Sequence, residues 1–204
     1  MTLLRLSRVL HGTLAEGPHL RSAVWVQGCS IRCKGCINPQ LFSTTGGTPT
    51  SPQDIVNDAI AAGVEGLTLL GGEPFDQAEA GADLAEAAQA AGLGIITFSG
   101  FNFEELQNAS SQHRRLIDAT DLLVDGPYDQ SSPEQSRALV GSSNQRFIHL
   151  SERYSTYDPQ RASNRVDVRI DIDGTINVAG FLTTERLSAL TADVAIRRRR
   201  VGSQ

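Results

Sequence analysis

Residues 22–36 read SAVWVQGCSIRCKGC, an apolar run of strand type that leads directly into Cys29, Cys33 and Cys36. These are the only cysteines in the chain, and they fall within eight residues at C-x3-C-x2-C spacing. An odd, tightly clustered set cannot form a disulfide framework, so metal or redox chemistry is the natural reading. Three thiolates on one loop can each take a different iron of a cubane and leave the fourth iron without a protein ligand. An open coordination position is where a substrate or cofactor binds. A structural zinc site is the competing reading, but it needs a fourth ligand, and the loop itself contains no His, Asp, Glu or further Cys. His11 and His19 lie upstream and would have to fold back. Three free buried cysteines are the third reading, although chance rarely gives this spacing behind a strand.

Outward from this loop, short apolar runs alternate with helical patterns. The opening residues alternate Leu and Val with Arg and Ser and read as a strand rather than a signal peptide. Residues 51–62 begin with Ser-Pro, an N-cap followed by Pro at the first helical position, and set Ile55, Ala59 and Ile60 on one face. Residues 67–70 form a buried strand that ends at Gly71-Gly72. Residues 76–91 are Ala-rich and helical, stopped by Gly92. Residues 94–98 make a further strand ending in Ser99-Gly100, Asn102 caps a short helix over 103–107, and 122–124 is a strand ending in Asp125-Gly126-Pro127. This alternation predicts βα units on a parallel sheet, with ligands at the C-terminal strand ends.

Beyond Asp125 the pattern changes. Residues 130–136 are polar, contain Pro133 and read as a loop, while 146–150 form a short strand and 151–164 look irregular. Residues 166–171 and 175–178 flank Asp173-Gly174, a strong hairpin signal. Its period-two pattern sets Val168, Ile170 and Ile172 opposite Asp167, Arg169, Asp171 and Asp173. The expectation is an apolar face against the domain, a charged face outward, and a hairpin that extends the sheet. Residues 183–192 read as a last helix. The organisation is one domain: a core over 1–150 and an appendage over 151–204 holding the hairpin, the helix and a basic tail.

The totals narrow the function classes. With 204 residues, 40% hydrophobic and 20% charged, an ordinary core can form and wholesale disorder is excluded. A net charge of −5 and a pI near 5.3 argue against a general nucleic-acid binder. The one basic concentration, Arg197 to Arg200, is read as a solvated tail or as a dock for an acidic partner. No apolar run approaches the roughly 18 residues of a membrane span, so a cytoplasmic location is expected.

Several stretches resemble one known family. Residues 17–41, GPHLRSAVWVQGCSIRCKGCINPQL, resemble the opening of glycyl-radical-enzyme activases of the radical S-adenosylmethionine (SAM) superfamily. Gly71-Gly72-Glu73-Pro74 resembles that superfamily's GGEP segment, whose backbone and acid receive the SAM amino group. Carbonyl and carboxylate acceptors suit an ammonium group, and glycines let the backbone come close. Residues 97–106 (TFSGFNFEEL), 123–128 (LVDGPY) and 141–146 (GSSNQR) are similar to segments of anaerobic ribonucleotide reductase activating proteins. The resemblance implies a partial (β/α) barrel of the radical SAM type, to which the hairpin read around Asp173-Gly174 adds a C-terminal β-hairpin extension. It implies one [4Fe–4S] cluster on Cys29, Cys33 and Cys36, and SAM cleaved to a 5′-deoxyadenosyl radical that takes hydrogen from a glycine of a partner glycyl-radical enzyme. An external electron donor such as flavodoxin or ferredoxin is implied with it. The alternative is a radical SAM enzyme acting directly on a small molecule or peptide, with residues 151–204 closing the site. A non-enzymatic metal-binding module would have little use for GGEP beside the cysteines. The chain departs from the pattern at Ile37, where many members carry an aromatic or His, and in the roughly 50 residues after Leu150, which compact reductase activases do not need.

Individual residues carry paired readings. Ser99 is a ribose contact or a turn serine, and Asp125 holds a ribose hydroxyl or cation or is ordinary Asp-Gly-Pro turn chemistry. Asn144 and Arg146 reach the SAM carboxylate, meet a partner or lie on the surface. Arg21 is a strand-edge residue beside the cysteine loop, Asn38 ends that loop, and Trp25 is core. His113 and His149 belong to no motif.

Overall fold

The computed structural model describes residues 2–170 and 172–181. In chain order the regular elements are β1 (Leu4–Thr13), β2 (Arg21–Val26), β3 (Thr48–Thr50), α1 (Pro52–Ala61), β4 (Gly66–Gly71), α2 (Ala78–Ala90), β5 (Gly94–Phe98), α3 (Phe103–Asn108), α4 (Ser111–Asp118), β6 (Leu122–Asp125), β7 (Arg146–His149), β8 (Val166–Ile170) and β9 (Ile176–Gly180). Seven strands make one sheet in the order β3-β1-β2-β4-β5-β6-β7. The expected parallel sheet is its centre: β2, β4, β5 and β6 run parallel, each joined to the next by a helical crossover. The flanks correct the expectation, because β1, β3 and β7 all pair antiparallel. The sheet is therefore mixed, and among the described residues it has two free edges and no closed barrel.

Both faces of the parallel centre are covered, which is why β2 and β6 are buried at every position. One face carries Val24, Val26, Leu67, Leu69, Ile95 and Leu123 against the helices. On α1 the buried stripe is Ile55, Val56 and Ala59, whereas Ile60 is 52% exposed at the edge of the stripe. The opposite face carries Ala23 and Trp25, and then Ile96 and Leu122 beneath Tyr154, with Tyr157 packed alongside.

Arg21 departs most from its sequence reading. It is fully buried at the start of β2. Its Nε donates to Thr68 Oγ1 (2.8 Å), Nη1 to Glu65 Oε2 (2.9 Å) and Tyr154 Oη (2.7 Å), and Nη2 to the Leu67 carbonyl (2.5 Å). A guanidinium has five N–H donors in a rigid fork, and burial is tolerable only when they find acceptors. Tyr154 in turn donates to Glu65 Oε2 (2.7 Å). The segment after β7 is thus tied to the end of the sheet opposite the cysteines.

The hairpin β8–β9 forms as expected, but it is a separate two-stranded sheet and does not extend the main one. Its faces are also inverted. Asp167 and Arg169 point inward: Thr13 Oγ1 donates to Asp167 (2.5 Å), and Arg169 donates to the His11 and Gly12 carbonyls (both 2.7 Å). Val166, Val168 and Ile170 are exposed. The bulge that breaks the β1–β2 register between Leu10 and Thr13 supplies those carbonyls, so polar inward residues find acceptors there. These contacts lie beside the start of β2, a strand's length from the cysteine loop. Asp171, the helix read over 183–192 and the arginine tail fall outside the described residues.

Candidate functional site

The C-terminal ends of β2, β4 and β5 meet at one place. Val26 ends β2 opposite Gly71 of β4, and the two chains then cross. The Gly72 N–H donates to the Val26 carbonyl (2.9 Å) and the Glu73 N–H to the Gly28 carbonyl (2.8 Å). A Cβ on Gly72 would stand 2.0 Å from the Gly28 oxygen, so only glycine fits. Gly71 has φ +106° and lies against Trp25, where a Cβ would be 2.7 Å from its Cα. Gly72 is thus needed by the cysteine loop itself, and Gly71 by the strand that leads into it.

The loop is closed and pinned. Gly28 N–H donates to the Leu41 carbonyl (3.0 Å), which shuts the loop over residues 28–41. Asp76 accepts from both the Ser30 amide (2.6 Å) and its hydroxyl (2.7 Å). Cys29, Cys33 and Cys36 are all half-buried and free. The amides of Ile31 and Arg32 point at the Cys29 sulfur, and Asn38 N–H donates to Cys36 Sγ (3.4 Å). Burial pushes the Cys29 and Cys36 thiols up in pKa, and those amides oppose the shift. Backbone donors aimed at sulfur suit thiolate ligands, whose charge they partly neutralise. Among the described residues no three His, Cys, Asp or Glu side chains gather around a single ion. A cubane does not require that, since each thiolate takes a different iron. The donor chemistry therefore fits an iron–sulfur cluster.

Glu73 is buried to 1% exposure just beyond the glycines. Its carboxylate accepts from the Phe75 amide (3.0 Å), Ser99 Oγ (3.0 Å) and the Gly100 amide (2.8 Å). Burial pushes its pKa up to about 7, against the pull of those donors. Pro74 is buried and starts the turn that leads into α2. Ser99 is buried at the end of β5, and its hydroxyl is committed to Glu73. Asp125 stands farther along, at the end of β6, fully buried. It accepts from the Phe103 amide (2.7 Å) and Arg146 Nε (2.9 Å), and Arg146 Nη2 bonds it as well. Arg146 also donates to both oxygens of Glu104, and these acids raise its pKa. Asn144 donates to the Pro127 carbonyl (2.7 Å).

Sequence reading thus named residues that the fold brings together, the cysteine loop, Gly71 to Pro74 and Ser99, and set Asp125 beside them. It missed Gly28, Asp76 and Gln77. Gln77 Nε2 donates to the carbonyls of Arg5 (3.1 Å) and Gln27 (3.0 Å) and so fastens the turn to the root of the loop. An acid two residues after Pro74 carries no periodic signal, so nothing in the sequence marks Asp76 as an anchor.

Comparison with known proteins decides the family. The 4Fe-4S single cluster domain family matches residues 15–148. The chain belongs to this family. It is 30% identical over 147 residues to the anaerobic ribonucleoside-triphosphate reductase-activating protein of Escherichia coli (strain K12), covering 67% of this chain and 93% of that one. It is 32% identical over 140 residues to the pyruvate formate-lyase-activating enzyme of Listeria monocytogenes serovar 1/2a, covering 65% of this chain and 56% of that one. A third relative, the reductase-activating protein of Haemophilus influenzae, is 29% identical over 143 residues, 66% and 90% of the two chains. The family member described here is thus a radical SAM enzyme of the activase type. Among the described residues no helix is long and apolar enough to cross a membrane.

Proposed function

We propose that this chain activates a glycyl-radical enzyme, with one [4Fe–4S] cluster on Cys29, Cys33 and Cys36 and SAM at the ends of β2, β4 and β5. The open sheet, wound in one direction from β2 to β6, is read as a partial (β/α) barrel. The observation that carries the proposal is the backbone union of the cysteine loop with Gly71–Glu73, through the Glu73 N–H to Gly28 bond and the Gly72 contact. A metal-binding module alone gains nothing from an acid buried there. When bound, the cluster and SAM supply a reductive cleavage to methionine and a 5′-deoxyadenosyl radical, which takes hydrogen from the partner's glycine.

The chain's own residues prepare that chemistry. Amides at residues 31, 32 and 38 hold the thiol sulfurs. Asp76 fixes the loop through Ser30. Glu73 offers a carboxylate to an ammonium group, and a nearby cation favours its ionised form. Ser99 and the Gly100 amide keep that carboxylate oriented. Ser99 therefore orients Glu73 and reaches a ribose only by exchanging that bond, while Asp125 shapes the rim through Arg146. The hairpin's bonds to residues 11–16 favour the activase over the small-molecule enzyme, since they keep it away from the cysteines. The test is anaerobic incubation of cluster-loaded protein, SAM and reductant with an anaerobic ribonucleoside-triphosphate reductase or a pyruvate formate-lyase. A glycyl-radical resonance on the added enzyme is expected. SAM cleavage with no radical on either enzyme would favour the small-molecule reading.

A further inference from the structure

β7 is an edge strand with one partner, β6. Which of its backbone groups are free follows from the ladder. Ser99 N–H donates to the Val124 carbonyl, so Val124 and Leu122 face β5, and Leu123 and Asp125 face β7. Their register partners are Ile148 and Arg146, and Leu150 N–H continues the series to the Asp121 carbonyl. The N–H and C=O groups of Phe147 and His149 therefore point away from the sheet. Among the described residues nothing bonds to them.

Phe147 and His149 also line a cavity of about 520 Å³, together with Arg137, Arg146, Tyr157 and Asp158, among others. Its second wall is residues 157–160, which lie past the end of the family match at residue 148. Tyr157 packs against Phe147 with ring centroids 6.3 Å apart. The charges here are already committed: Arg137 to Glu134, Arg146 to Asp125 and Glu104, Asp158 to Arg161. A small charged ligand would have to break those pairs. What the groove leaves unsatisfied is strand backbone, and the ligand that satisfies strand backbone is another extended chain.

We infer that the free edge of β7 is a docking groove for an extended peptide segment of the partner protein, added as an eighth strand and walled by residues 157–160. The inference rests on the activase reading and supplies its docking mode. Phe147 and His149 allow a four-residue pairing of roughly 13 Å. Arg146 begins β7 beside Asp125, at the same sheet end as the cysteines, so a chain leaving the paired stretch at that end emerges at the rim of the site.

Proline tests the point cleanly, because at 149 it removes an outward N–H without touching the β6 ladder. Overlapping peptides covering an anaerobic ribonucleoside-triphosphate reductase are titrated into the cluster-loaded full chain by fluorescence anisotropy. At least one should bind wild type and His149→Ala alike, and bind His149→Pro about tenfold more weakly, the equivalent of one backbone hydrogen bond at roughly 1.4 kcal/mol. Uncoupled formation of 5′-deoxyadenosine should be equal in all three proteins. Binding that ignores His149→Pro overturns the groove, as does the absence of any bound peptide. A concentration-dependent dimer abolished by His149→Pro would overturn it too, by naming a second copy as the occupant. Absence of a glycyl radical on the intact reductase, with 5′-deoxyadenosine still formed, would instead refute the activase reading.

Discussion

Tyr154→Phe removes one hydroxyl and leaves the ring in place. That hydroxyl accepts from Arg21 Nη1 and donates to Glu65 Oε2, both at 2.7 Å, and the residue is 2% exposed. Hydrogen bonds to charged groups contribute about 1.5–3 kcal/mol each. Arg21 keeps Glu65, Thr68 and three carbonyls, and Glu65 keeps Arg21 and Arg153, so neither charge is orphaned. The expected cost is therefore that of about one such bond, roughly 2 kcal/mol. In a domain of this size that lowers the melting temperature by about 4–8 °C. Tyr154→Ala also empties the space beside Ile96 and Leu122 and should cost about 3–5 kcal/mol. Calorimetry on cluster-loaded protein measures both. Iron per folded chain should not change, because the network lies at the opposite end of β2 from Cys29. A melting temperature unchanged in Tyr154→Phe would refute the claim that the buried Arg21 is held by this hydroxyl, and iron loss would refute the separation of the two ends.

The glycine and the acid of the GGEP segment should behave differently. Gly72→Ala drives a methyl against the Gly28 oxygen and should lower iron content and SAM binding together, read by iron analysis and equilibrium dialysis. Glu73→Gln should weaken SAM binding about tenfold or more with iron nearly intact, consistent with a lost charge-assisted bond. Glu16 is buried, accepts from the Gly180 amide (2.6 Å), and has its pKa pushed up to about 7 by burial. A carboxyl whose folded pKa is raised binds more protons folded than unfolded between about 4.5 and 7. The Glu16 contribution to stability should therefore rise as pH falls from 8 to about 5.5, and Glu16→Gln should lose that part of the pH dependence in thermal melts.

The sequence carried the parallel centre because buried βα units leave a strong signature: apolar runs of strand length, each closed by glycine or a cap. It did not carry strand direction at the flanks, since neither the alternation of β1 nor the short Arg-Phe-Ile-His run of β7 says which way a strand pairs. Helix α4, residues 111–118, carries little helical signal in the sequence, because its SQHRRLID stretch is polar except for Leu116 and Ile117. The hairpin shows the limit of period-two reasoning. The pattern says which residues share a face, and the His11 and Gly12 carbonyls with the Thr13 hydroxyl donor decide which face turns inward. Arg21 illustrates the same limit, since burial of an arginine depends on Thr68, Glu65 and Tyr154, which are distant in sequence. The site was more legible because its parts follow strand ends. Its anchors, Asp76 and Gln77, were not.

The central claim is that the cysteine loop and the GGEP turn act together on SAM. Its most direct test is the 5′-deoxyadenosine formed by anaerobically reconstituted, chemically reduced protein given SAM, with about four irons per chain as one cubane requires. The account predicts product from the wild type and none from Cys33→Ala. Full iron loading with no 5′-deoxyadenosine, or tight stoichiometric zinc that excludes iron, would contradict it.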